Sequence, residues 1–132
     1  NDIYNAIPSE IKNAIIDTTV VSGHGSTSGE TNFTSTDKLY LLTLKEIYTD
    51  WSNIYDTAKD LTRTLDYYTN IGVTSRKYSG AKKKKGTSDD FWWLRGTASS
   101  LDAHFFNMLS DGRWMSHEAH YTFGVAPAFR LG

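Results

Sequence analysis

Phe91-Trp92-Trp93-Leu94-Arg95-Gly96 and Gly124-Val125-Ala126-Pro127-Ala128-Phe129-Arg130-Leu131 bracket the last third of this 132-residue chain. In the first bracket Trp92 and Leu94 alternate with Trp93 and Arg95, a period of two that predicts a strand with one indole on each face. Arg95 is suited either to a buried hydrogen-bonded pair or to holding a loop through backbone carbonyls. Gly96 predicts a close backbone approach or a sharp turn. Between the brackets fall Leu101, His104, Phe106, Met108, Arg113, Trp114, Met115, His117, Glu118, His120, Tyr121 and Phe123. Core-type residues frame the segment and contact-type residues fill it. That composition reads as a scaffold displaying a recognition surface, and it favours binding over catalysis.

Inside the brackets, Ala103, Phe105, Asn107 and Leu109 would share one strand face, with His104, Phe106 and Met108 on the other. Ser110-Asp111-Gly112 is a hairpin signal, because Asp-Gly supports the positive φ of tight turns. The next strand would start near Arg113-Trp114-Met115. Phe123 to Phe129 reads as a last strand, at an edge or past a bulge because of Pro127. Upstream, Pro8-Ser9-Glu10 with Ile11, Ala14 and Ile15 predicts a short amphipathic helix. The β-branched run Thr18 to Ser22 predicts a strand, and Gly23 to Asn32 a polar loop. Lys38 to Leu42 reads as a buried strand and Thr43 to Tyr48 as a brief helix. One or two helical turns are expected within Asp56 to Tyr68, ending near Asn70 or Gly72. Ser75 to Asp90 reads as a second loop, with Lys82 to Lys85 as its solvated, mobile tip. Helices first and hairpins later point to an α+β fold.

Composition narrows the function classes. The length suits one domain spanning residues 1–132, large enough for a core without metals or cross-links. A net charge of -1 gives no general pull toward nucleic acid or acidic lipid. With 0 Cys there is neither a disulfide framework nor a thiolate metal site. No apolar run approaches the ~20 residues of a membrane span. The start at Asn1, without a signal-peptide plan, reads as a module trimmed from a longer chain, of which it would be a C-terminal part.

Catalytic patterns are weak. His117-Glu118-Ala119-His120 is one residue short of a zinc-protease helix, and the surrounding turn signals favour a loop. No Gly-x-Ser-x-Gly elbow occurs. Asp89, Asp90, Asp102, Asp111 and Glu118 supply acids, but nothing positions two of them as a pair. Gly23-His24-Gly25-Ser26-Thr27-Ser28-Gly29 lacks the ending of a phosphate cradle. The expectation is a non-enzymatic chain with no cofactor and no metal.

The chain resembles a bacterial and phage domain family marked by a Trp-Trp-Leu-Arg-Ser motif and a terminal Gly-Val-Arg-Pro-Ala-Phe/Leu segment. The matching residues are Trp92-Trp93-Leu94-Arg95-Gly96 and Gly124-Val125-Ala126-Pro127-Ala128-Phe129. Ile7 to Ile16 resembles the family's first helix, Ser35 to Leu42 its central strand, and Ser110-Asp111-Gly112 its hairpin. Gly96 stands where the family has Ser, and Ala126 where it has Arg, so bonds made through those positions are not carried over. The resemblance implies a C-type lectin-like fold, shared with formylglycine-generating enzymes and with the variable proteins of diversity-generating retroelements. It further implies that a rewritten, ligand-displaying stretch would occupy residues 97–123. Calcium-type lectin signatures are absent, and 0 Cys excludes the copper-binding cysteines of the enzymatic relative.

The expected function is therefore a ligand-recognition, receptor-binding or adhesin domain of a phage tail or bacterial surface protein. A protein or glycan on a target cell is the expected partner, with no nucleic acid and no membrane insertion. The alternatives are a carbohydrate-binding module and an assembly domain contacting neighbouring subunits. The expected ligand contacts are Asp102, His104, Phe106, Met108, Arg113, Met115, His117, Glu118, His120, Tyr121 and Phe123, with Phe106, Tyr121 and Phe123 as hot spots. Trp92, Trp93, Leu94, Arg95, Gly124, Pro127 and Phe129 form the structural motif.

Overall fold

A computed structural model describes residues 2–132 of the chain. Among the described residues four single-turn α-helices lie in the first seventy positions of the chain, with three strands between the second and third: α1 (Asp2–Asn5), α2 (Ser9–Lys12), α3 (Leu44–Ile47) and α4 (Asp66–Asn70). Nine short strands complete it: β1 (Ile15–Ile16), β2 (Thr18–Ser22), β3 (Phe33–Asp37), β4 (Lys83–Lys85), β5 (Ser88–Asp90), β6 (Trp92–Thr97), β7 (His104–Met108), β8 (Trp114–Glu118) and β9 (Arg130–Leu131). They form antiparallel pairs β1–β9, β2–β3 and β4–β5, and a three-stranded antiparallel sheet β6–β7–β8. The fold is a small α+β arrangement, as its sequence predicts. No helix among the described residues is long and apolar enough to cross a membrane.

The core lies between α3, α4 and one face of the β6–β8 sheet. Leu44, Ile47, Tyr48 and Trp51 meet Tyr68, Val73, Trp92, Leu94, Phe106 and Met108 there. Trp51 sets the geometry of this layer. Its ring stands edge-on to Phe106 at 5.9 Å and to Trp114 at 5.0 Å, the arrangement that the ring quadrupoles favour. Its indole N–H, which would be costly to bury alone, donates to Asp56 Oδ2 at 2.7 Å.

Helix α3 forms because Thr43 and Glu46 cap it reciprocally. The Glu46 N–H donates to Thr43 Oγ1 at 3.3 Å, and the Thr43 N–H donates to Glu46 Oε2 at 2.8 Å. The same carboxylate receives the Arg95 guanidinium from β6, with Nη2 to Oε1 at 3.1 Å. Arg95 also donates to Val21 O at 3.0 Å and to Leu41 O. Both sequence readings of Arg95, buried partner and loop anchor, therefore hold at once.

The β7–β8 turn falls at Ser110-Asp111-Gly112, with Gly112 at φ 92°. The Gly112 N–H donates to Leu109 O at 3.0 Å, and the Leu109 N–H to Arg113 O at 2.8 Å. Gly96, at φ 98°, sits where the β6–β7 register shifts between Trp93 and Thr97.

Several expected elements differ. Lys38 to Leu42 is not a strand: its one ladder contact is Tyr40 with Ala128, and Arg95 takes the carbonyls of both Leu41 and Leu42. The first amphipathic helix is only the turn Ser9–Lys12, because Ile15 and Ile16 extend to pair with Leu131 and Arg130. Helix formation within 56–65 is displaced to α4, since polar side chains there serve other backbone and side-chain partners. Asp56 accepts from the Ala58 N–H, Thr62 donates to Glu46 Oε1, and Thr64 donates to Lys45 O. Phe123 to Phe129 makes isolated bridges, Gly124 with Trp92 and Ala128 with Tyr40, and only Arg130–Leu131 is a strand. The second loop contains the β4–β5 hairpin, so the lysines are a ladder rather than a loose tip.

Candidate functional site

Strand alternation divides the β6–β8 sheet into an inner and an outer layer. The register sets Trp92 opposite Met108 and Met108 opposite Trp114, all on the inner, core-facing side, together with Phe106 and Ser116. Trp93, Asn107 and Met115 form the next row and point outward, as do Phe105 and His117. This division splits the expected ligand contacts. Phe106, at 2% exposure, and Met108, at 0%, belong to the core and are not displayed. The expected hot spot at Phe106 is thereby corrected: its even-numbered neighbours pack on Trp51 and Trp92, and it goes with them.

After β8 the chain turns back beside β6. The Trp93 N–H donates to Gly124 O at 2.9 Å and the Gly124 N–H to Phe91 O at 2.8 Å, which joins the two sequence brackets directly. The returning segment lays Tyr121 and Phe123 against the outer layer. Phe123 lies 4.6 Å from Trp93, 5.2 Å from Phe91 and 5.1 Å from His117. Tyr121 is nearly parallel to Phe123 at 5.8 Å and to His120 at 4.6 Å, with interplanar angles of 18° and 25°. An unbroken run of rings thus leads from half-buried Trp93 and Phe123 to Tyr121, which is 48% exposed.

Polar groups fix this surface. Asn107 is fully buried although it points outward, and its Oδ1 lies 2.7 Å from His117 Nδ1, which orients the imidazole among the rings. Glu118 stands between two histidines, 3.2 Å from His120 Nδ1 and 3.9 Å from His104 Nε2. Arg113 Nε reaches Asp111 Oδ2 at 2.7 Å. These pairs are solvent-exposed and contribute little to stability. The Arg113 N–H and guanidinium hold the Asp111 carboxyl below its ordinary value. Asp102, Arg113 and Met115 are exposed, while His104 and His117 are half-buried. Among the described residues no three His, Asp or Glu side chains are grouped to hold a metal.

The rings of Phe91 and Trp93 join this surface, although the sequence reading assigns Trp93 to the scaffold. Phe105 is exposed on the same outer layer. The signal for both was present in the alternation: once Trp92 and Phe106 are inside, Trp93 and Phe105 must face out. Beside the ring run a groove of about 310 Å³ opens between the lysine hairpin and residues 123–126, with Phe91 and Phe123 bordering both features.

The whole chain, residues 1–132, matches a family described as "Domain of unknown function (DUF6273)", and the chain belongs to that family. No curated protein and no solved structure matches it.

Proposed function

We propose that this domain is a non-enzymatic ligand-recognition module and that the outer layer of the β6–β8 sheet, with Tyr121 and Phe123 over it, is its contact face. The carrying observation is the ring run that ends on exposed Tyr121. Large rigid rings supply contact area at low cost in side-chain entropy, and their partial exposure leaves apolar area for a partner to cover. His120, stacked on Tyr121, and Glu118 beside it offer directional polar contacts of the kind that surround a hot spot. The nearly parallel planes of His120, Tyr121 and Phe123 favour one variant of this reading, a carbohydrate ligand whose apolar ring face lies along them.

We further propose a C-type lectin-like fold and a relation to retroelement-diversified variable proteins, with display on a phage tail or bacterial surface. The direct joining of the Trp-Trp-Leu-Arg segment to Gly124 supports it, because both halves of the resemblance then serve one scaffold around residues 97–123. A near-identical template repeat and a reverse transcriptase beside the parent locus are expected; absence of both would remove the retroelement relation.

Binding is tested with the purified domain on a glycan array and on intact bacterial cells. Tyr121→Ala is expected to weaken retention by about tenfold or more while the melting temperature stays unchanged. Unaltered retention by Tyr121→Ala would show that the partner lies elsewhere.

A further inference from the structure

The groove beside the ring run has an unusual electrostatic lining. The β4–β5 register sets Lys83 opposite Asp90 and Lys85 opposite Ser88, so Lys83 and Lys85 share one hairpin face. Lys84 and Asp89 take the other face, where Lys82 Nζ pairs with Asp89 at 3.2 Å. The lysines are therefore not equivalent. Lys83 Nζ stands 5.2 Å from the centre of the Trp92 ring, half-buried, and no carboxylate pairs with it among the described residues. Burial lowers its pKa, the mark of an ammonium that has lost water without gaining an anion. Trp92 borders the same groove, is 2% exposed, and its Nε1 has no hydrogen-bond acceptor. Asp90, the one acid on the lining, already accepts the Phe91 N–H at 2.8 Å.

A half-buried ammonium without a carboxylate partner thus borders the groove, and the missing chemistry is an acceptor carrying negative charge. The volume of about 310 Å³ lies at the small end of ligand sites. It holds one ring-sized group rather than a length of peptide. Phe91 and Phe123 form the wall shared with the ring run, so a group seated here has an apolar face on one side and ammonium groups on the other. The net charge of the chain is -1, so this positive field is local rather than a general attraction to polyanions.

We infer that the groove between the lysine hairpin and Phe123–Ala126 takes an acidic sugar, its anionic substituent on Lys83 and Lys85 and its ring against Phe91 and Phe123. This assignment rests on the reading of the ring run as a ligand face, and it names the ligand class of that face. Lysine ammoniums act as point charges without the planar fork of arginine, so a carboxylate and a sulfate on the ring are both accepted.

The test uses the whole domain on an array carrying carboxylated, sulfated and neutral glycans beside acidic peptides, followed by calorimetry with the strongest acidic glycan and its methyl-esterified or desulfated form. Acidic glycans should dominate, and neutralising the acid should weaken binding about tenfold, the weight of a charge-assisted contact. Lys85→Gln, at an exposed position, should lose several-fold and flatten the salt dependence. Lys83→Met, which keeps an apolar stem over Trp92, should lose more. Carboxylated against sulfated hits identify the substituent. Equal binding of charged and neutral forms, unchanged affinity in both lysine variants, acidic peptides outcompeting glycans, or no acidic glycan retained would each overturn the assignment. Tyr121→Ala separates the two layers of the argument. If it loses neutral and acidic glycans alike while the lysine variants change nothing, the ring face stands and the groove assignment falls. If only the lysine variants lose binding, the groove stands and the ring face falls.

Discussion

The guanidinium of Arg95 spans three separate pieces of chain, meeting Val21 O, Leu41 O and the Glu46 carboxylate. Both charged side chains are 8% exposed, so removing one leaves the other buried without its partner. Arg95→Ala is expected to destabilise the fold by about 3–5 kcal/mol, read as a shift in the denaturant midpoint. Arg95→Lys should recover only part of this, because an ammonium cannot reach the carbonyls and carboxylate together. Wild-type midpoints for Arg95→Ala would contradict the anchoring role. The buried Tyr48 hydroxyl donates to Gly112 O at 2.5 Å, and Tyr48→Phe should cost about 1 kcal/mol by the same measurement. Phe106 and Tyr121, both expected from sequence to touch a ligand, separate at this scale. Phe106→Ala should cost about 3–5 kcal/mol, whereas Tyr121→Ala should leave stability intact.

At the level of elements, the β7–β8 hairpin depends on its turn. Gly112 needs a positive φ, and a Cβ there would collide with the Tyr78 carbonyl. Gly112→Ala is therefore expected to destabilise by more than about 2 kcal/mol and to release the Tyr48 hydroxyl contact, seen as loss of near-ultraviolet circular dichroism. The Asp111 carboxyl in the same turn is held below its ordinary pKa by the Arg113 N–H and guanidinium. A depressed folded-state value means that its contribution is present above the ordinary aspartate pKa and is lost as pH falls through the depressed one. Asp111→Asn should flatten that acid limb in a pH series of melts. This hairpin was legible because Asp-Gly chemistry is local, and so were Thr18–Ser22, the brief helix α3, and the alternation of β6. The lysine hairpin was hidden because its strands carry charge rather than apolar alternation; cross-strand Lys–Asp register and the Trp92 ring organise it. Phe33–Asp37 was read only in part, through the resemblance that gave Ser35 to Leu42 as a strand, because it is mostly polar and exists through pairing with β2. Lys38–Leu42 failed in the opposite sense: its apolar run is genuine, but the Arg95 guanidinium takes the Leu41 carbonyl and the Arg95 backbone N–H that of Leu42.

Across the whole molecule, the two sequence brackets meet at Trp93 and Gly124 and hold one sheet between two layers with different tasks. The inner layer packs on Trp51 and α3, and the outer layer carries rings that end in solvent. What sequence could not supply was the phase of β7 relative to that core, which decides that Phe106 and Met108 go in while Phe105 and His117 go out. The four tryptophans report this division, since Trp51, Trp92 and Trp114 face the core and Trp93 faces outward. The most direct measurement follows the four indole N–H signals by ¹H–¹⁵N NMR while the strongest array ligand is titrated in. The Trp93 signal should move with ligand while those of Trp51 and Trp114 stay fixed. Movement of Trp51 or Trp114 with Trp93 unchanged would contradict an outer-layer binding face.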